Sequence, residues 1–134
     1  MNIQEVPLQL VNQVLPLVED YIENALDYTD DYTIDEARVF LTTGAWSLIV
    51  AFDEPGKFKG AAAVQYYNKP RDRVAFIIAL GGKLVTSHDN AKTLFDIFRA
   101  NGATSVEAGA RDGILRLWQR YGLQKKHTII GASL

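Results

Sequence analysis

Residues 111–123 read RDGILRLWQRYGL. Ile114, Leu117, Trp118 and Tyr121 recur three and four apart, the spacing of a single apolar stripe along a helix, and Gly122 supplies the stop. This predicts an amphipathic helix over residues 112–121. Just upstream, residues 104–108 (TSVEA) read as a short strand. Before it, residues 87–100 (SHDNAKTLFDIFRA) have the pattern of a helix capped by Ser87 or Asp89, with Leu94, Phe95, Ile97 and Phe98 inward and Asn101-Gly102 as its end. Residues 74–80 (VAFIIAL) are continuously apolar, as a strand buried on both faces near the sheet centre would be. Residues 46–53 (WSLIVAFD) and 60–67 (GAAAVQYY) flank a short EPGK turn and read as an antiparallel hairpin. Downstream of the opening stretch, residues 127–132 read as the last strand.

The first third is helical in texture. Val11, Val14, Leu15, Val18, Tyr21, Ile22, Ala25 and Leu26 make an amphipathic stripe. Pro16 lies inside it, which predicts a kink or a short turn before a helix beginning near Leu15. Thr33 followed by Glu36 reads as a capping box for a second helix that Gly44 closes. Residues 2–6 are a short strand candidate. The expected element order, (β)–α–α–β–β–β–α–β–α–β, describes one α+β domain over residues 1–134, with a mixed, mostly antiparallel sheet and about four helices.

Composition narrows the function classes. The chain has 134 residues, 48% hydrophobic and 22% charged, with no Cys and two His. That length is enough for one real core. It offers no disulfide framework, thiolate metal site or cysteine nucleophile, and no metal-ligand motif, P-loop or hydrolase elbow. No apolar stretch is long enough to span a membrane and no signal peptide is legible, so the expected location is cytoplasmic or virion-associated rather than secreted. The formal charge of −2 is a cancellation. Residues 1–37 hold nine acids and no Lys or Arg, while the remainder holds seven acids and all 14 basic residues. Such a division suits either two solvated faces that attract each other or contact with a charged partner.

The element order and the closing run ARDGILRLWQRYGL resemble the GNAT superfamily, the Gcn5-related N-acetyltransferases, over essentially the whole chain. The family's closing segment is commonly N-x-x-A-x-x-L-Y-x-x-x-G-F. Leu117 and Gly122 match it, Leu123 replaces the Phe conservatively, and Arg111, Ile114 and Trp118 stand where Asn, Ala and Tyr are usual. The same run resembles, more loosely, small GNAT-like proteins of tailed bacteriophages, some of them virion-associated.

The resemblance implies an acetyl-CoA site beside the fourth strand, with pyrophosphate on the next helix N-terminus in a loop of form Q/R-x-x-G-x-G/A. Unpaired N–H groups and glycines make such a loop an anion cradle. The equivalent stretch is Thr86-Ser87-His88-Asp89-Asn90-Ala91, where only Ala91 fits and Asp89 brings a carboxylate to the phosphate position. The candidate cofactor residues are Leu80, Gly81, Gly82, Ser87, Asn90, Ala91 and Arg111. Gly81 and Gly82 would serve a shifted loop. The family's acid, commonly a Tyr, is replaced by Trp118, whose indole has no useful acidity, which leaves Tyr121 one turn away. Residues 74–80 carry no base, so Glu107 and His88 are the candidates for that role.

Two functions follow. One is a GNAT-like domain with a degenerate acetyl-CoA site, non-catalytic or weakly catalytic, acting as a virion-associated interaction protein of phage type. Its partner would be another protein or a second copy, met through charge-complementary faces, with Tyr28, Tyr32, Tyr66 and Tyr67 as contact aromatics. The alternative is an active N-acetyltransferase moving acetyl from acetyl-CoA to a cationic amine or lysine drawn by the acidic helices. Nucleic acid is a third choice. Lys57, Lys59, Lys69, Arg71 and Arg73 flank the hairpin, and a second basic group lies near the end, but the sequence pI of about 5.6 disfavours it.

Overall fold

The computed structural model describes every residue except Arg111, and Asp112 by its backbone alone. Five strands form one sheet in chain order: β1 (Asn2–Glu5), β2 (Ser47–Glu54), β3 (Lys57–Asn68), β4 (Arg73–Gly82) and β5 (Ser105–Ala108). Neighbours are antiparallel except β4 and β5, which run parallel. Four α-helices accompany them: α1 (Val11–Leu26), α2 (Ile34–Thr42), α3 (His88–Ala100) and α4 (Asp112–Gln119). This is the mixed α+β architecture that the element order implied.

Alternation along the strands divides the core in two. Leu48, Val50, Ala61, Ala63 and Ala79 face α1 and α2, meeting Val11, Leu15, Val18, Ile22, Ala37 and Leu41. Ile49, Ala51, Ala62, Val64, Ala75 and Ile77 face the other way, under Leu94 and Phe98 of α3 and Trp118 of α4. The alanines of β3 present little bulk, and α1 lies correspondingly close to the sheet. A Cβ on Gly81 would sit 2.0 Å from the Tyr21 carbonyl oxygen of α1, so only glycine permits this approach.

Local signals resolve as expected at the helix starts. Glu36 N–H donates to Thr33 Oγ1 at 3.2 Å while Glu36 Oε1 accepts the Thr33 N–H at 3.0 Å, completing the capping box. Ser87, not Asp89, caps α3. The helix around Pro16 departs from expectation. A 3-10 turn (Leu8–Leu10) leads into α1 at Val11, and α1 continues through Pro16. Pro16 and Asn12, whose carbonyl loses its donor, are both exposed, so water can satisfy that oxygen.

The expected last strand over residues 127–132 does not form. Residues 124–134 have no regular structure and are exposed. A strand exists through pairing, and β-branched residues alone do not make one. β4 is likewise less enclosed than its unbroken apolar run implied. Val74, Ala75, Ile77 and Ala79 are buried, but Phe76, Ile78 and Leu80 are half-buried because β5 is short and α1 covers part of one face.

Candidate functional site

One local irregularity of the sheet lies in β4. Its register with β3 passes from Val64↔Ile77 to Ala63↔Ala79, so Ile78 is an extra, bulged residue. The parallel pairing with β5 runs from Val74↔Ser105 to Ile77↔Ala108 and stops there. Bulge and end of pairing coincide. Beyond that point β4 continues to Gly82, while the chain after Ala108 turns away towards α4. From Ile78 onward β4 therefore has no β5 partner on that side, while it stays paired with β3 as far as Gly82↔Gly60.

Each sequence-derived candidate within the described residues has a definite setting. His88 opens α3 and is exposed, and its ring meets that of Tyr121 edge-on at 5.2 Å between centroids. Tyr121 in turn lies 6.4 Å from Trp118. The fold thus brings His88 and Tyr121 together from two separate segments. Trp118 is only 5% exposed and packs into the α3–α4 core, while Leu117 is turned outward.

Glu107 is elsewhere. Val106 and Ala108 pack towards α3 and α4, so Glu107, between them, projects from the opposite face of β5. There its carboxylate accepts from Tyr67 Oη at 2.7 Å, Lys69 Nζ at 2.7 Å and Lys126 Nζ at 2.5 Å. The lysine bonds and, after them, the tyrosine hydroxyl outweigh partial burial and hold the carboxyl down at about 2. A carboxylate so saturated is a weak base. The same bond to Glu107 pushes the Tyr67 hydroxyl upward.

The residues proposed to hold pyrophosphate are engaged with one another. Ser87 Oγ accepts the Asn90 N–H at 3.1 Å, and the Ser87 carbonyl accepts the Ala91 N–H at 3.1 Å. Asn90 Oδ1 accepts from Thr86 Oγ1 at 2.7 Å. Asp89 stands exposed in the first turn of α3, and Ala91 is buried. Gly81 abuts Tyr21. Gly82 has φ +69° and a Cβ there would lie 2.4 Å from the Lys59 carbonyl oxygen. These glycines serve the packing of α1 and the hairpin end, and Leu80 lines the α3 side half-buried. Arg111 lies outside the described residues.

Of the four tyrosines considered for contact, Tyr28 is 65% exposed. Tyr32 packs edge-on against Trp46 at 4.8 Å, and Tyr67 is bonded to Glu107. Tyr66 lies beneath the Arg73 guanidinium at 5.3 Å, and its buried hydroxyl has no hydrogen-bond partner among the described residues. Burial, then the nearby Glu5 charge, pushes it up to about 12. The acidic helices frame a cleft of about 410 Å³ lined by Glu23, Asp27 and Asp30 with Tyr32 and Thr33.

Sequence reasoning missed the Ile78 bulge and the lysine pair on Glu107. An unbroken apolar run gives no alternation in which a one-residue slip could show. The lysines become neighbours only when the β3–β4 turn and the tail converge on β5.

No protein-family model matches the sequence, and neither does any curated protein. Solved structures do match in shape. A ribosomal-protein-alanine N-acetyltransferase from Brucella melitensis biovar Abortus 2308 superposes with a TM-score of 0.69 at 12% identity, covering 100% of both chains. The chain has the GNAT fold. An aminoglycoside acetyltransferase from an uncultured soil metagenomic sample, solved with sisomicin, gives 0.69 at 12% identity over 99% of this chain and 94% of that one. A probable acetyltransferase gives 0.67 at 12% identity over 100% and 97%. At such identities the GNAT likeness is one of fold, and the reaction must be argued from the site.

Proposed function

We propose that this GNAT-fold chain keeps the sheet of an acyltransferase but has lost the use of acetyl-CoA, and that it works through contact with another protein. The observation that carries this reading is the closed first turn of α3. In it Asn90 N–H is taken by Ser87 Oγ and Asn90 Oδ1 by Thr86 Oγ1, Asp89 adds negative charge, and Gly81 and Gly82 are packed against α1. The cofactor therefore does not fit the residues present, and no catalytic step is assigned to them. The buried Trp118 and the saturated Glu107 support the same conclusion, since neither offers a useful acid or base. The likeness of the closing motif to small phage GNAT-like proteins supports a virion-associated role.

The test is thermal denaturation with acetyl-CoA at millimolar concentration. A ligand at tenfold its Kd adds about 1.4 kcal/mol, which moves the midpoint by several degrees in a domain of this size. No movement is expected. A reproducible rise would overturn the proposal and favour the second reading, an N-acetyltransferase acting on a cationic amine. That reading draws on the Ile78 bulge, the paired rings of His88 and Tyr121, and the acidic cleft. It requires thiol release from acetyl-CoA in the presence of a polyamine or lysine peptide.

A further inference from the structure

Asn101-Gly102 is the one Asn-Gly pair in the chain. Such a pair carries its own chemistry. The glycine amide nitrogen, with no Cβ beside it, can attack the asparagine Cγ. A bond forms between that nitrogen and Cγ, the Cγ–Nδ2 bond breaks, and Nδ2 leaves as ammonia with the proton of the glycine N–H. Water then opens the cyclic imide at either carbonyl, giving aspartate or isoaspartate. The reaction needs only water, so the fold decides whether it runs.

Both reacting groups are held in this chain. Asn101 ends α3 at φ −89° and ψ 11°, which swings the Gly102 nitrogen away from the Asn101 Cβ. The Gly102 N–H donates to the Arg99 carbonyl at 2.9 Å. Asn101 Nδ2 donates to both carboxylate oxygens of Glu5, at 3.1 and 3.3 Å, and to the Ile97 carbonyl at 2.9 Å. Glu5 ends β1, so this clamp spans nearly the whole sequence. Ring closure requires β1 and the end of α3 to part. We propose that Asn101 is a latent modification site, silent while Glu5 holds its amide and converted to aspartate or isoaspartate when the β1–α3 contact opens. Conversion makes that opening one-way. The new carboxylate faces Glu5 with no donor to offer, and Arg73 is already bonded to the Asn101 carbonyl and to Asn68. Isoaspartate also adds a backbone carbon at the turn where Gly102 and Ala103 donate to Arg99 and Phe98.

Mass spectrometry of the tryptic peptide over residues 100–111 (ANGATSVEAGAR) tests this, since Asn101 is its one amide side chain. In the full chain at neutral pH, conversion should run about tenfold or more slower in buffer than in urea, because it waits on local opening. Glu5→Ala should raise the rate in buffer about threefold or more by freeing the amide. Leu41→Ala, in the core on the other face of the sheet, should lower the melting temperature without raising that rate. Asn101→Asp should melt below the wild type. Equal wild-type rates in buffer and urea overturn the proposal. So does a Glu5→Ala rate equal to wild type, or a rise with Leu41→Ala as large as with Glu5→Ala, since conversion would then ignore β1 or follow global unfolding. An Asn101→Asp chain as stable as the wild type overturns the one-way step.

Discussion

Glu107 and Gly81 show how single residues are committed to structure. With three donors around it and its side chain 16% exposed, Glu107 stays ionised far below the range of an ordinary carboxyl. Its folded value is depressed to about 2 from 4.5, so the unfolded chain takes up the proton first as pH falls. The stabilisation is therefore complete above about pH 4.5 and is lost progressively towards pH 2. Because Lys126 is largely in water, its size is on the order of 1–2 kcal/mol. Urea midpoints of wild type and Glu107→Gln should differ at pH 7 and converge towards pH 2. A gap that is constant across that range would show that the ion pairs contribute nothing. Gly81 is constrained by space rather than charge. Gly81→Ala forces a methyl to within 2.0 Å of the Tyr21 carbonyl, so helix and sheet must separate. A loss of about 3 kcal/mol or more is expected, in the upper range for overpacking. An unchanged denaturation midpoint would mean that α1 does not sit this close in solution.

At the scale of elements, the start of α3 decides between anion site and capped helix. Ser87→Ala removes the cap on Asn90 N–H and should cost about 1 kcal/mol, read as a lower midpoint in chemical denaturation. If the turn were instead held open for a ligand, that loss would be near zero. Trp118→Tyr, made alone on α4, should produce no acetyl transfer. Position 118 is buried in the core and the α3 turn remains closed. Thiol release by that variant would show the closed turn to be no obstacle. Such caps are legible in sequence because their partners lie three residues apart, as at Thr33–Glu36 and Ser87–Asn90. The order of strands and helices was legible for a related reason, since apolar period and turn residues are local. What depends on distant chain was not legible. The Ile78 slip is hidden in VAFIIAL, and the saturation of Glu107 needs Lys69 and Lys126 to arrive from elsewhere. HTIIGA has strand-forming residues but no partner strand among the described residues of its own chain.

At the scale of the whole molecule, the division of charge is not cancelled by internal pairing. Among the described residues, ion pairs between the acidic third and the basic remainder run through Arg38 to Glu19 and Asp35. Both carboxylates raise the Arg38 guanidinium above its ordinary value, with Glu19 the larger influence. Asp20, Glu23, Asp27, Asp30, Asp31 and Glu36 are exposed around the end of α1 and the start of α2. The proposed contact with another protein would meet this cluster through a complementary cationic surface. The local field should exceed what a net charge of −2 gives when spread evenly. On an anion exchanger at pH 7 the chain should bind and elute only as salt shortens the screening length. The variant Asp27→Asn, Asp30→Asn, Asp31→Asn should lose most of that retention. A control with the same net charge, Asp53→Asn, Glu54→Gln, Asp89→Asn, should keep it because the cluster is intact. Equal elution of the two variants would mean that retention follows net charge alone, and the acidic helices would then have no special claim as a contact surface.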